Sequence, residues 1–85
     1  MKIIVTRRFD REIDRLVKKR LDIAKRVEKT LALFSSNPHH PSLRLHKISR
    51  DGVYSLSVDM DLRILVLWED DQSTLLRIGT HKDVY

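Results

Sequence analysis

Four side chains in the last third of the chain have the chemistry needed to cleave RNA without a metal ion. Arg63 and Arg77 each lie within a strand-like apolar run, and His81 and Tyr85 follow the second run. Arginine binds phosphate through a permanent charge and a planar fork of donors, and histidine exchanges protons near neutral pH. A tyrosine can orient a phosphate or stack on a base. Arginines within amphipathic strands are also commonly solvent-facing or ion-paired, so the residue types alone leave both interpretations open.

The first half of the chain is predicted to be one strand followed by two helices. Lys2–Thr6 is rich in β-branched residues, as is typical of a strand. Apolar residues then recur at helical spacings of three and four, at Phe9, Ile13, Leu16, Val17, Ile23, Val27, Leu31 and Phe34. A single helix of that length would be about 39 Å long, too long for so small a domain. We therefore predict a helical hairpin that turns near Arg20–Asp22, with Asp22 as the N-cap of the second helix.

The second half is predicted to form strands. Prolines at positions 38 and 41 end the helical part. The strand-like segments after them are Leu43–Ile48, the alternating stretch Tyr54–Met60, Leu62–Trp68 and Thr74–Ile78, with Glu69–Ser73 as a hairpin loop. The order β-α-α-β-β-β predicts a single α+β domain over residues 1–85, in which an N-terminal strand and a two-helix hairpin pack on one face of a small antiparallel sheet.

The period of two along a strand predicts which residues share a face. Leu62, Ile64, Val66 and Trp68 are expected to face the helices, which places Arg63 on the uncovered face. On the next strand Leu76 and Ile78 are expected on one side and Leu75, Arg77 and Gly79 on the other. Both arginines would then share the uncovered face with Ser55, Ser57 and Asp59. A register slip of one residue would reverse the assignment.

Charge and composition limit the function classes. The formal net charge is +5, and the basic excess is concentrated between Arg7 and Lys29, which favours polyanionic partners such as nucleic acid, a ribosome or an acidic protein. The chain has no cysteine, so we expect neither disulfides nor thiolate metal sites. We also expect no signal peptide and no membrane segment, and therefore a cytoplasmic location.

The four histidines do not have the spacing of a metal site, and no cofactor motif is present, so we predict no metal and no cofactor. His39 and His40 are expected in an exposed loop. His46 is expected to face the open side of the sheet, where Lys47 and Arg50 could reach an RNA backbone. The alternative is that these three residues only form the surface of an edge strand.

The ordered motifs of the second half resemble the RelE/ParE superfamily of type II toxin–antitoxin toxins, and within it the RelE/YafQ-like messenger-RNA endonucleases. The matching segments are Pro41–Ile48, Asp61–Ile64 and Ile78–Tyr85, and the predicted helical hairpin extends the similarity over nearly the whole chain. The resemblance implies that Arg63 holds the scissile phosphate, that Arg77 stabilises the transition state and that His81 is the general acid or base. It implies auxiliary roles for His46 and Lys47. Asp59 and Asp61 are the candidates for a further proton-transfer group, and both could instead be turn residues.

The same resemblance implies an activity and partners. Messenger RNA would be cleaved in the A site of the ribosomal 30S subunit, leaving a 2′,3′-cyclic phosphate and a 5′-hydroxyl. An acidic antitoxin would cover the basic surface in a hetero-oligomeric complex. Two alternatives remain open at this point: a ParE-like toxin that inhibits DNA gyrase by binding, and a binding module that keeps the fold without activity.

Overall fold

The computed structural model describes residues 1–85 as a five-stranded sheet with three helices. The strands are β1 (Lys2–Val5), β2 (His46–Lys47), β3 (Val53–Ser57), β4 (Leu62–Glu69) and β5 (Gln72–Thr80). The helices are α1 (Arg7–Lys19), α2 (Ile23–Ser36) and α3 (His81–Val84), and a 3-10 turn spans Pro41–Leu43. The strand order in the sheet is β1-β5-β4-β3-β2.

The predicted α+β class is confirmed, and a strand and a helical hairpin precede the remaining strands as predicted. Four strands and a short helix follow the hairpin, however, where the predicted order has three strands, and the sheet also differs in one respect. Strands β2 to β5 are antiparallel, but β1 runs parallel to β5, pairing Lys2 with Gln72 and Val5 with Leu75. The sheet is therefore mixed and not wholly antiparallel. The helical hairpin carries the chain from β1 to β2 at the opposite edge of the sheet, where β2 runs antiparallel to β1. Three successive reversals of direction then bring β5 beside β1 in the parallel direction.

The helical hairpin turns where the sequence predicted. Helix α1 ends at Lys19 and helix α2 begins after Asp22. Strand β1 stops one residue earlier than predicted because Thr6 is the N-cap of α1, where its Oγ1 accepts from the Phe9 N–H at 3.2 Å. Asp22 does occupy the N-cap position of α2, but its carboxylate makes no cap hydrogen bond and instead pairs with Arg20 and Arg26 at 3.0 and 2.7 Å.

These ion pairs predict an acid-dependent loss of stability. Hydrogen bonds from Arg20 and then Arg26 lower the pKa of Asp22 from 3.8 to about 2. A depressed carboxyl pKa stabilises the fold above pH 3.8, and this stabilisation is lost as the pH falls toward 2. We expect the Tm of Asp22→Asn to fall less between pH 4 and 2 than that of the wild type. Asp51→Asn, which removes an exposed carboxylate without an ion pair, should follow the wild-type curve; identical curves for all three proteins would contradict the assignment.

The core lies between the helical hairpin and one face of the sheet. Its buried members are Phe9, Ile23, Val27, Phe34, Leu43, Leu56, Leu62, Ile64, Val66, Leu75 and Ile78. The faces predicted for β4 are confirmed, and Trp68 packs edge-on against Phe34 with ring centroids 5.2 Å apart. No helix has the length and apolar character needed to cross a membrane.

The face predicted for Leu75 and Leu76 is wrong. Leu65 pairs with Arg77 while Val66 pairs with Leu75, so Leu76 is the extra residue of a β-bulge. Because of the bulge, Leu75 and Ile78 both face the core, and Leu75 is fully buried. In a regular strand, two residues three positions apart would face opposite sides of the sheet. Arg77 remains on the opposite face, in register with Leu65. Period-two reasoning cannot foresee this shift because a bulge breaks the alternation.

The segment predicted as the strand Leu43–Ile48 is mostly not a strand. Pro41 begins a 3-10 turn, and the preceding His40 caps it by accepting from the Ser42 N–H through Nδ1 at 3.1 Å. Arg44 then adopts a left-handed conformation, and only His46–Lys47 pairs with β3. Strand β3 also ends at Ser57, so Met60 lies in the following turn and is 91% exposed.

Candidate active site

The face of the sheet opposite the helical hairpin carries the candidate site. Arg63 lies there because it alternates with the core residue Ile64, and it is in register with Ser57 and Gly79 on the neighbouring strands. The adjacent row consists of His46, Ser55, Leu65 and Arg77. Both predicted serines are buried on this face, and Ser55 Oγ has no hydrogen-bond partner. The two rows bring His46 and Arg63 to the same side of the sheet.

Helix α3 completes this face by folding back over the end of the sheet. Thr80 and Asp83 form a capping box, in which each side chain accepts from the other residue's N–H at 3.3 Å. The hydrogen bonds from Thr80 lower the pKa of Asp83. A Cβ at Gly79 would lie 3.1 Å from the Asp83 Cβ and 3.2 Å from a Val84 methyl group. Glycine at position 79 therefore allows α3 to pack directly on β5, which fixes where His81 and Tyr85 lie.

An open cavity of about 380 Å³ lies between these elements. Its lining residues are Arg44, His46, Ile48, Arg63, His81 and Tyr85. Four of these six were predicted site residues, and they come from three separate segments of the chain. Arg44 and Ile48 were not assigned to the site from the sequence, although both lie in the segment that resembles the toxin family.

The cavity is lined by two arginines and contains no aspartate or glutamate side chain. None of the ion pairs in the protein involves Arg63 or Arg44, and no aspartate or glutamate lines the cavity. Arg63 is half-buried, lines the open cavity and has no internal counter-ion. An unpaired guanidinium is a favourable site for a phosphate group.

The two aromatic side chains that follow β5 form one unit. The His81 and Tyr85 rings meet edge to face, with centroids 4.2 Å apart and planes inclined by 70°. The Tyr85 N–H also donates to the His81 carbonyl at 3.2 Å, which closes the single turn of α3. Tyr85 is 49% exposed, so one face of this ring pair is open to a ligand. The arrangement holds the imidazole of His81 at the rim of the cavity.

Arg77 lies outside the cavity, although Arg77 and Arg63 were predicted from the sequence to belong to the same site. Its Nη2 and Nε donate to Glu12 Oε2 at 2.8 and 3.3 Å, and this hydrogen bonding raises the pKa of the guanidinium. The other carboxylate oxygen of Glu12 accepts from the Ile78 N–H at 3.2 Å. Because β1 pairs with β5 only as far as Leu75, Glu12 satisfies a backbone donor on an otherwise uncovered strand edge.

The remaining predicted residues also lie outside the cavity. Lys47 follows His46 in β2, so its side chain lies on the opposite face of the sheet. Its Nζ lies 5.9 Å from the centre of the Tyr54 ring. Arg50 is exposed in the turn before β3. Asp59 and Asp61 are turn residues: Asp59 Oδ1 accepts from the Asp61 and Leu62 N–H groups, both at 2.8 Å.

Asp59 is held in place and is not available as a proton-transfer group. Burial raises its pKa, but the backbone N–H groups of Leu62 and Asp61 and the charge of Arg20 outweigh this and lower it overall. Two histidines, His46 and His81, line the cavity, and histidine is the side-chain type that exchanges protons near neutral pH. No set of three His, Cys, Asp or Glu side chains lies close enough together to bind a metal ion.

Comparison with known proteins identifies the family of this chain. Residues 3–85 match the sequence model described as ParE toxin of type II toxin–antitoxin system, parDE. Among solved structures, a metal-bound toxin from Helicobacter pylori has 20% sequence identity and a TM-score of 0.85, covering 100% of this chain and 99% of that chain. No curated protein sequence gives a significant match.

Two further structures have the same fold. A chain of the Escherichia coli DinJ–YafQ toxin–antitoxin complex has 18% identity and a TM-score of 0.83, covering 99% of this chain and 96% of that chain. The YoeB/ParE toxin from Agrobacterium tumefaciens has 12% identity and a TM-score of 0.77, covering 95% of this chain and 99% of that chain. The family model covers all but the first two residues. The chain therefore belongs to the ParE toxin family of type II toxin–antitoxin systems, within the RelE/ParE superfamily, and has a RelE/YafQ-like fold.

Proposed function

We propose that this toxin is a ribosome-dependent, metal-independent messenger-RNA endonuclease that inhibits translation. The observation that supports the proposal most strongly is the composition of the cavity. It combines an unpaired arginine with two histidines and contains no aspartate or glutamate side chain that would repel a phosphate. A protein that acts only by binding has no need of two proton-transfer groups beside a phosphate-binding arginine.

The proposed reaction is a transesterification at phosphorus. One histidine removes the proton of the RNA 2′-hydroxyl, the 2′-oxygen bonds to phosphorus, and the bond from phosphorus to the 5′-oxygen breaks. The other histidine donates a proton to that leaving oxygen. The products are a 2′,3′-cyclic phosphate and a 5′-hydroxyl, so protons and electrons balance without a cofactor. In this proposal His46 has the second proton-transfer role, for which Asp59 and Asp61 were the candidates from the sequence.

The other cavity residues have supporting roles in this proposal. Arg63 holds the scissile phosphate and stabilises the charge that develops on its oxygens. Tyr85 keeps the His81 ring in position and offers its exposed face to a base. Arg77 acts from outside the cavity, by holding β5 against Glu12. Lys47 and Arg50 would contact RNA only beyond the cavity.

The openness of the site supports dependence on the ribosome. The cavity is open and is formed by one sheet face, the residues on either side of β2 and one short helix, so the protein itself provides few contacts that would align an RNA strand. The 30S A site would hold the messenger RNA in a fixed conformation and supply that alignment. The basic stretch from Arg7 to Lys29 gives the toxin a surface that suits ribosomal RNA. Action on ribosomes also places the protein in the cytoplasm.

The proposed regulator is an acidic antitoxin that forms a hetero-oligomer with the toxin. YafQ of E. coli is found in a complex with DinJ, and the present chain has the same fold with a net charge of +5. The sheet also offers an edge at the two-residue strand β2, which includes the cavity residue His46. An added antitoxin segment at this edge would cover the site and neutralise its charge.

A translation assay with programmed ribosomes tests the proposal. Wild-type protein is expected to cut messenger RNA in the A-site codon, as mapped by primer extension. Arg63→Ala should lower the cleavage rate by about 10²-fold because the scissile phosphate loses its main charge contact. The same reaction without ribosomes and the same reaction with a chelator serve as controls. Intact messenger RNA after incubation with wild-type protein would exclude the endonuclease.

The second candidate is a toxin that inhibits DNA gyrase by binding, and the observation in its favour is that the matching family model is named for ParE toxins. A supercoiling assay separates the two candidates: inhibition of gyrase together with intact messenger RNA would support the ParE-like function. A protein inactive in both assays would be a binding module that retains the fold.

A further inference from the structure

Arg44 is the one cavity arginine for which the sequence analysis gave no role. It lines the same cavity as Arg63, His46 and His81, and its side chain is exposed. It forms no ion pair and no side-chain hydrogen bond, in contrast to Arg77, whose guanidinium is bound to Glu12. The cavity therefore has two free arginines, and the second of them is Arg44 and not Arg77.

The backbone at Arg44 is one that favours glycine. Its φ and ψ angles are 46° and 47°, in the left-handed region, and it closes the 3-10 turn by donating its N–H to the Pro41 carbonyl at 3.1 Å. Any residue could donate this N–H, and glycine would do so with less strain. The turn therefore does not require the arginine side chain, because glycine at position 44 would form the same turn with less strain. Residues with strained backbone angles are common at binding sites, where the side chain is needed for function.

We infer that Arg44 is a second phosphate-binding residue of the site, and that it contacts the RNA backbone at a phosphate adjacent to the one held by Arg63. The inference rests on the proposed endonuclease function for the identity of the ligand as single-stranded RNA. Two free arginines in the same cavity as His46, with no aspartate or glutamate side chain beside them, fit two negative charges better than one. The left-handed turn holds Arg44 at the rim of the cavity instead of along strand β2.

Binding of a non-cleavable RNA tests Arg44 independently of catalysis. The probe is a short single-stranded oligoribonucleotide with 2′-O-methyl groups throughout, and its affinity is measured by fluorescence anisotropy at several salt concentrations. Loss of one phosphate contact lowers the slope of log Kd against log salt by about 0.7 for a single strand. We expect this decrease for Arg44→Gly, whereas Arg44→Lys should keep the wild-type slope.

Thermal unfolding supplies the second readout. Arg44→Gly is expected to have a Tm equal to or above that of the wild type, because the substitution relieves the left-handed strain. Asp70→Gly is the matched backbone control, since Asp70 is the other non-glycine residue with a positive φ, 51°, and lies in the turn between β4 and β5. It should raise the Tm without lowering the salt slope. Lys2→Ala, which removes a positive charge at the sheet edge opposite β2, controls for net charge.

The outcomes separate the inference from the function on which it rests. A lower salt slope in Arg44→Gly, at an unchanged or higher Tm, supports the assignment of Arg44. A wild-type slope in Arg44→Gly overturns it, even if ribosomes programmed with messenger RNA are cut by the wild-type protein. Failure of the wild type to cut messenger RNA overturns the endonuclease function alone, because the binding measurement still decides whether Arg44 contacts a nucleic-acid phosphate.

Discussion

His81→Ala is expected to lower the rate of A-site cleavage by at least about 10²-fold and by as much as 10⁴-fold, the range that general acid–base catalysis typically contributes. His81 is exposed and its side chain makes no hydrogen bond, so its removal should leave the fold intact. The measurement is a single-turnover cleavage rate on programmed ribosomes, with the Tm of the variant as a check on folding.

The pH dependence of cleavage identifies the role of this residue. If His81 and His46 act as a pair, the wild-type rate should pass through a maximum with pH, and one limb of the curve should disappear in His81→Ala. His46→Ala should remove the opposite limb. His39→Ala is the matched control, because His39 packs beside Trp68 at a centroid distance of 5.9 Å and lies outside the cavity. A His81→Ala protein that cleaves at the wild-type rate would exclude His81 as a proton-transfer group.

Sequence reasoning was sufficient for the elements whose periodicity is unbroken. The helical hairpin follows from apolar residues at spacings of three and four, and the placement of Arg63 follows from its alternation with Ile64. The identity of four cavity residues could also be predicted, because their chemistry and order resemble one toxin family. These predictions depend on local patterns, which the sequence records directly.

The features that were not predicted depend on contacts between distant segments or on single backbone angles. The bulge at Leu76 appears only when β4 and β5 are paired, and it reverses the expected face of Leu75. The left-handed angle at Arg44 has no signal in a sequence where glycine would be the usual choice. Helix α3 did have a signal, since Thr80 and Asp83 have the spacing of a capping box.

The role of Arg77 is the clearest case of a contact that the sequence does not reveal. Glu12 is 65 residues away from Arg77 along the chain, and nothing in the pattern of α1 marks it as a partner. The residue type suggested phosphate binding, whereas the ion pair suggests that Arg77 fastens the uncovered edge of β5 to helix α1. The two interpretations predict different results when the pair is broken.

Glu12→Ala is expected to lower the free energy of unfolding by about 2 kcal/mol, the usual cost of removing hydrogen bonds to a charged group. The substitution leaves the Arg77 guanidinium, whose side chain is 26% exposed, without a counter-ion and the Ile78 N–H without an acceptor. Arg77→Ala and the double variant complete a double-mutant cycle, measured by urea unfolding, in which we expect a coupling energy of about 1 kcal/mol. The same cycle on the exposed pair Asp22 and Arg26 should give a much smaller coupling.

Cleavage by the same variants then decides what Arg77 does. If Arg77 acts only by holding β5, Glu12→Ala and Arg77→Ala disturb the same strand end and should slow cleavage to a similar, modest degree. If Arg77 instead contacts the RNA, its removal should abolish cleavage, while Glu12→Ala releases the guanidinium and preserves activity. We expect the first result, because two of the five N–H donors of Arg77 are already bound to Glu12 and its charge is paired with that carboxylate.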